Sequence, residues 1–244
     1  MYRSFLLSLI LTVSLVVALP LSIRFDTPPT PAVQGNVGTV MAASITANTM
    51  IQKMQAALNA PTNQVNKARI EKAFGPHYNV AEIKKVVDRL QANVLLIRTA
   101  DQTVLDTATK RPAATKVTYN RDSNNKIIAS SPMKYAELGS RYYGMSLNEK
   151  AGALIHEATH YQSLTGDDTD SSGQIIPSAS NTRPVGVRAG YAQTATGATI
   201  TMDTIIADHG ASLDNGPYNT LRQNARNMHQ NADSYRVFAA LVSI

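Results

Sequence analysis

The chain has 244 residues, a formal net charge of +6, 43% hydrophobic residues and no cysteine. That length and apolar content support one substantial core without disulfides. Thiolate metal ligands and cysteine nucleophiles are excluded, and the scattered basic residues argue against a nucleic-acid surface.

Met1, Tyr2 and Arg3 make a short basic start, residues 5–18 are almost unbroken apolar, and Pro20 and Ser22 end the run. This is the layout of a secretory signal peptide over residues 1–22, short for a spanning helix. The mature protein is therefore expected to be secreted and extracellular, with no stable membrane association after cleavage. Residues 23–43, rich in Pro, Gly and Thr, read as a linker or short pro-segment ahead of one domain over 44–244.

From Ser44 the pattern turns helical, with Ile45, Met50, Ile51, Met54 and Leu58 near one face and a stop at Pro61. A second helix is predicted over 66–74, ending at Gly75 and Pro76. A third runs over 80–97, with Ile83, Val86, Val87, Leu90 and Val94 as its apolar stripe. The β-prone runs at 116–119 and 126–129, separated by the turn-rich RDSNN, predict a hairpin. Ser146 and Glu149 form a capping box that opens a helix carrying Ala151, Leu154 and Ile155. Residues 165–217 are a long polar loop of the kind that carries function, and a last helix is predicted over 218–242.

The helix opened by Ser146 contains His156-Glu157-Ala158-Thr159-His160, an HExxH motif. One helical turn separates the two imidazoles, so they can converge on one ion, and Glu157 can reach a water bound there. With five histidines and five glutamates in the chain, chance supplies only about 0.002 such matches. A catalytic zinc needs a third protein ligand and keeps a fourth position for water. No glutamate follows Glu157, and positions 163 and 166, where an extended zinc motif would need Gly and His, hold Ser and Gly. His209 and His229 read as surface or structural histidines, which leaves an aspartate: Asp167, Asp168 and Asp170 all lie within ten residues of His160.

Two segments resemble the deuterolysin and peptidyl-lysine metalloendopeptidase family, zinc peptidases whose third ligand is Asp. They are SLNEKAGALIHEATH, residues 146–160, and NADSYRVFA, residues 231–239. The resemblance implies an α+β fold, a mainly helical zincin-like metallopeptidase domain with a small antiparallel β-sheet. Thr165-Gly166-Asp167-Asp168 is the nearest counterpart of the family's acidic block, with Gly and Thr exchanged. Aligned on it, Asp168 is the implied third ligand, with Asp170 next. Ser171 stands where the family has its oxyanion-holding tyrosine, so that role passes to Tyr191 or Tyr218, with Tyr191 preferred, or is absent. Asp233 matches a carboxylate that binds substrate lysine in lysine-specific members. Arg236 replaces that carboxylate's partner and reverses the charge, so lysine selectivity is not implied; Asp233 can instead orient a zinc-ligand histidine.

The expected protein is thus a secreted zinc (Zn2+) metalloendopeptidase, a monomer acting on protein or peptide substrates. Its ligands are His156, His160 and Asp168, its general base is Glu157, and Tyr191 donates to the oxyanion. The rival reading is a non-catalytic binding protein on the same fold.

Overall fold

The computed structural model describes residues 21–25, 36–98, 112–121, 127–170 and 188–244. Most of the expected leader, part of the linker, the RDSNN turn apart from Arg121, and the middle of the acidic loop lie outside the described residues. Among the described residues, eight helices and a four-stranded mixed sheet make a mainly helical α+β fold.

Strand β1 (Ser22–Phe25) opens the described chain, pairing in parallel with β2 (Val94–Arg98). The Leu21 carbonyl just before it accepts from Ser44 Oγ and Asn48 Nδ2, at 3.2 and 3.4 Å, both on helix α1 (Val37–Asn59). α1 therefore begins seven residues before Ser44, inside the interval read as a linker. Its buried face is built from Val40, Ala43, Ala47, Met50 and Met54, while Ile45 is 68% exposed. Met50, Ile51, Met54 and Leu58 of the expected stripe are buried and only Ile45 falls outside it; Val40, Ala43 and Ala47 extend the buried face toward the helix start.

Helix α2 (Gln64–Phe74) is capped by Asn63 and α3 (Val80–Ala92) by Asn79, each side chain accepting from two amides of the first turn. α3 ends at Ala92, and Val94-Leu95-Leu96-Ile97-Arg98 is strand β2, not the last turn of a helix. Val94 lies four residues after Leu90 and so fits the helical spacing, but a β-branched apolar run this short suits a strand equally. The hairpin is longer than expected: β3 (Ala113–Arg121) pairs antiparallel with β4 (Ile127–Leu138). The sheet order is β1-β2-β4-β3, with β1-β2 and β2-β4 parallel, so the sheet is mixed where a purely antiparallel one was expected. Among the described residues, β3 is an edge strand.

After the short helix α4 (Ser140–Tyr143) comes α5 (Leu147–Ser163), the HExxH helix. It packs against α1, α3, β3 and β4, and against α8 (Ala232–Leu241) at the end of the chain. Every residue from Ala151 to His160 is buried. Leu154 and Ile155 point into the core, each contributing about 1.5–3 kcal/mol by leaving water. Sequestering α5 between sheet and helices gives the opposite face, with His156, Glu157 and His160, its fixed position.

The predicted last helix is two helices. α7 (Gly216–Asn224) ends at an extended Ala225, and Asn231 restarts the chain by capping α8, accepting from Ser234 N at 2.9 Å. The acidic loop also has structure of its own: β5 (Asp168–Thr169) pairs with β6 (Arg188–Ala189), and α6 (Met202–Ala207) follows. Among the described residues, no helix is long and apolar enough to cross a membrane.

Candidate metal centre

One turn of α5 brings His156 Nε2 and His160 Nε2 to 3.1 Å from each other. Oδ1 of Asp167 lies 3.0 Å from the first and 3.1 Å from the second. Among the described residues this is the one group of side chains whose ligand atoms converge in this way. A tetrahedral ion with nitrogen and oxygen ligands at about 2.0–2.1 Å spaces those ligands about 3.3 Å apart. The observed triangle is therefore slightly tighter than a zinc site and of the right shape. Asp167 Oδ1 is buried and has no hydrogen-bond partner. Three lone-pair atoms facing one point, one of them an orphaned carboxylate oxygen, is a donor set that fits a divalent cation.

Each imidazole is oriented from behind. His160 Nδ1 lies 2.7 Å from the Thr165 carbonyl, so it carries the proton and leaves Nε2 free to ligate. Thr165 is held by its own hydroxyl, 2.8 Å from Thr159 Oγ1. His156 Nδ1 faces Oδ1 of Asp233 at 3.4 Å.

Asp167, not the expected Asp168, is the aspartate that reaches the histidines. α5 closes on Leu164 in a left-handed conformation, φ 61°, whose amide returns to His160 O. The chain then stitches itself to the start of α8: Gly166 N donates to Gln230 O at 2.9 Å and Ala232 N to Gly166 O at 3.1 Å. Asp168 is already in β5, opposite Ala189, and successive strand residues point to opposite faces. A single-residue shift in register exchanges which aspartate faces the metal. Asp170 lies beyond β5 and is outside the cluster too.

Tyr191 stands beside the site. Its hydroxyl donates to Asp167 Oδ2 at 2.6 Å, and its ring stacks on His156 with 6.1 Å between centroids. Tyr218 is far removed in role: fully buried, it donates to Ala73 O at 2.6 Å and serves the core. Glu157 is 5% exposed, and its Oε2 has no hydrogen-bond partner. Asp233 is 2% exposed and fully engaged by His156, Arg236 and the Ala192 amide, leaving no carboxylate oxygen for a substrate lysine. His209 is exposed, His229 is half-buried, and neither joins the cluster.

The electrostatics follow from this packing. Burial alone would push the His156 imidazolium down, but the Asp167 carboxylate outweighs it and raises the pKa to about 10 in the metal-free protein. His160 is raised by the same carboxylate against the same burial. Burial opposes the charge on Asp167, and the two histidines hold it well below the usual carboxylate range. Burial likewise raises Glu149.

A cleft of about 1020 Å³ opens over the triad. Ala113, Ala114 and Thr115 of the edge strand line it, together with Glu157, Tyr191 and Arg236. Thr165 and Arg236 are the participants to which sequence reasoning gave no role, and Asp167 was one of three candidate aspartates of which Asp168 was preferred. Thr165 and Asp167 were visible in the altered acidic block, whereas Arg236 carried only the signal of a reversed charge. Glu149 was read as half of a capping box, and Ser146 Oγ does accept from its amide at 3.2 Å. Its carboxylate, however, turns away to accept from Met202 N at the start of α6. No protein-family model, curated protein or solved structure matches the chain.

Proposed function

We propose that the protein is a secreted zinc metalloendopeptidase of the deuterolysin and peptidyl-lysine metalloendopeptidase type, with His156, His160 and Asp167 holding the metal. The observation that carries this reading is the triangle of ligand atoms, lining an open cleft together with Glu157, whose Oε2 has no hydrogen-bond partner. A bound zinc supplies a Lewis acid for the scissile carbonyl and acidifies the attacking water.

The chain's own residues do the rest. Glu157 accepts the proton of the attacking water and passes it to the leaving amine. It follows His156 directly on a rigid, buried helix, so its carboxylate is positioned without further ordering. Thr165 and Asp233 hold the imidazoles in the ligating tautomer. Tyr191 fixes the second oxygen of Asp167 and lines the cleft where an oxyanion would form. The long cleft beside an edge strand suits an extended peptide, which supports a polypeptide substrate for a monomeric enzyme.

The test is hydrolysis of a mixed peptide library by purified protein beside Glu157→Gln, with zinc content measured on both. Chelator-sensitive cleavage by wild type alone, with about one zinc on each protein, is the expected result. Zinc on both with cleavage by neither would replace the peptidase reading with that of a metal-holding binding protein.

A further inference from the structure

The cleft wall carries two buried charged side chains, Arg236 and Glu149, that the proposed chemistry does not use. Arg236, on the second turn of α8, is 6% exposed. Its Nε donates to Asp233 Oδ1 at 2.6 Å, and Nη2 donates to Asp233 Oδ2 and to the Ile200 carbonyl, both at 3.1 Å. Its Nη1 has no hydrogen-bond partner and faces Glu149 Oε2 at 3.7 Å. Glu149 in turn accepts from Met202 N. A continuous row of buried charges therefore runs from His156 through Asp233 and Arg236 to Glu149, ending at the first residue of α6.

The arginine stem is pinned as well. α5 has Gly152 where α6 and α8 cross it, and a Cβ there would run into Met202 Sδ and lie 3.0 Å from Arg236 Cγ. The missing side chain at Gly152 leaves room for Met202 and for the arginine stem, so both pack close against α5. Asp233 and Glu149 keep Arg236 charged in spite of its burial.

We propose that Arg236 is a positioning residue for the metal centre: its forked guanidinium fixes the Asp233 carboxylate, which in turn fixes the His156 ring with Nε2 toward the ion. This inference rests on the reading of the triad as a metal site. Without the fork the Asp233 carboxylate loses two of its hydrogen bonds and is free to turn, which releases the imidazole behind the ligand nitrogen. Lysine supplies the charge but not the fork, so it restores the arrangement only in part.

The experiment uses the full purified chain and its variants Arg236→Lys, Arg236→Ala and Tyr218→Phe. Zinc affinity is read by competition with a chromogenic chelator and ligand geometry by the visible absorption of the Co2+ form. Folding is followed by circular dichroism. Arg236→Ala is expected to lose about 10- to 100-fold in zinc affinity with an altered cobalt spectrum, and to recover part of both in added methylguanidinium. Arg236→Lys should fall between it and wild type. Tyr218→Phe removes a buried hydrogen bond in the same region without touching the site and should keep wild-type affinity. Wild-type affinity in Arg236→Lys and Arg236→Ala overturns the proposal, as does an equal loss in Tyr218→Phe. Should Arg236→Ala fail to fold, Arg236→Lys decides; should that also unfold, the arginine serves the fold and the proposal is overturned. A wild-type chain that takes up neither zinc nor cobalt overturns the metal-site reading itself.

Discussion

The Tyr191 hydroxyl donates to Asp167 Oδ2 at 2.6 Å while its ring lies nearly parallel to that of His156, 13° between planes. One side chain thus braces two of the three proposed ligands, leaving Oδ1 of the carboxylate for the ion. An oxyanion role and a ligand-bracing role make different demands on the same hydroxyl, and substitution separates them. Tyr191→Phe is expected to lower zinc affinity about 10-fold if bracing dominates, within the range for a group behind the ligands. If the hydroxyl acts mainly on the oxyanion, kcat falls about 10²- to 10³-fold with zinc affinity unchanged. The structure favours the first outcome, and chelator competition beside steady-state kinetics checks it.

Asp167 and Asp168 are adjacent, yet only one meets the histidines. Asp167→Asn is expected to weaken zinc binding by about 100-fold or more, beyond the usual loss for a group behind the ligands. Asp168→Asn is expected to retain zinc. Both contents can be read by elemental analysis after dialysis. The reverse pattern would mean that β5 and β6 pair in the other register.

That contrast marks where the sequence stops being legible. HExxH needs only helical spacing, and the helix is assured by the Ser146 cap and by Leu154 and Ile155, so His156, Glu157 and His160 could be read directly. The third ligand depends on a turn whose geometry is set by Leu164 and by pairing of Gly166 with residues more than sixty positions later. No local pattern encodes that pairing. The same holds for Arg236, whose partners Asp233, Ile200 and Glu149 come from α8, the loop before α6, and α5. Helix ends failed for a different reason. Val94 continues the stripe of α3 although the chain has become a strand, and the first turns of α1 pack through Val40, Ala43 and Ala47, whose small apolar groups give a weak periodic signal.

Gly190 holds the acidic loop from the other side. Its amide donates to the Asp167 carbonyl at 2.7 Å, and a Cβ at this position would run into Asn231 Nδ2 and sit 3.0 Å from that same carbonyl. Asn231 is fully buried and caps α8, so it has little room to yield. Gly190→Ala is expected to destabilise the fold by about 1–3 kcal/mol, the usual cost of overpacking, and to weaken zinc binding as Asp167 is displaced. Denaturant unfolding and chelator competition measure the two effects separately. Unchanged values in both would show that the loop moves freely and does not aim Asp167.

The charges of the triad set a pH dependence whose sign reverses with the metal. Without metal, Asp167 raises His156 against the effect of burial, from an ordinary 6.5 to about 10. A folded-state pKa above the unfolded one adds stability that is complete below about pH 6.5 and is lost as pH rises through about 10. His160 is shifted in the same direction and reinforces the trend. The melting temperature in excess chelator is therefore expected to fall steadily across that window, and Asp167→Asn should flatten the slope. Zinc requires the imidazoles unprotonated, so its affinity should rise with pH over the same range. Thermal melts at matched ionic strength, with and without zinc, test both halves. A melting temperature that climbs with pH in chelator would show that Asp167 does not hold the histidines charged, and the electrostatic account of the triad would fail.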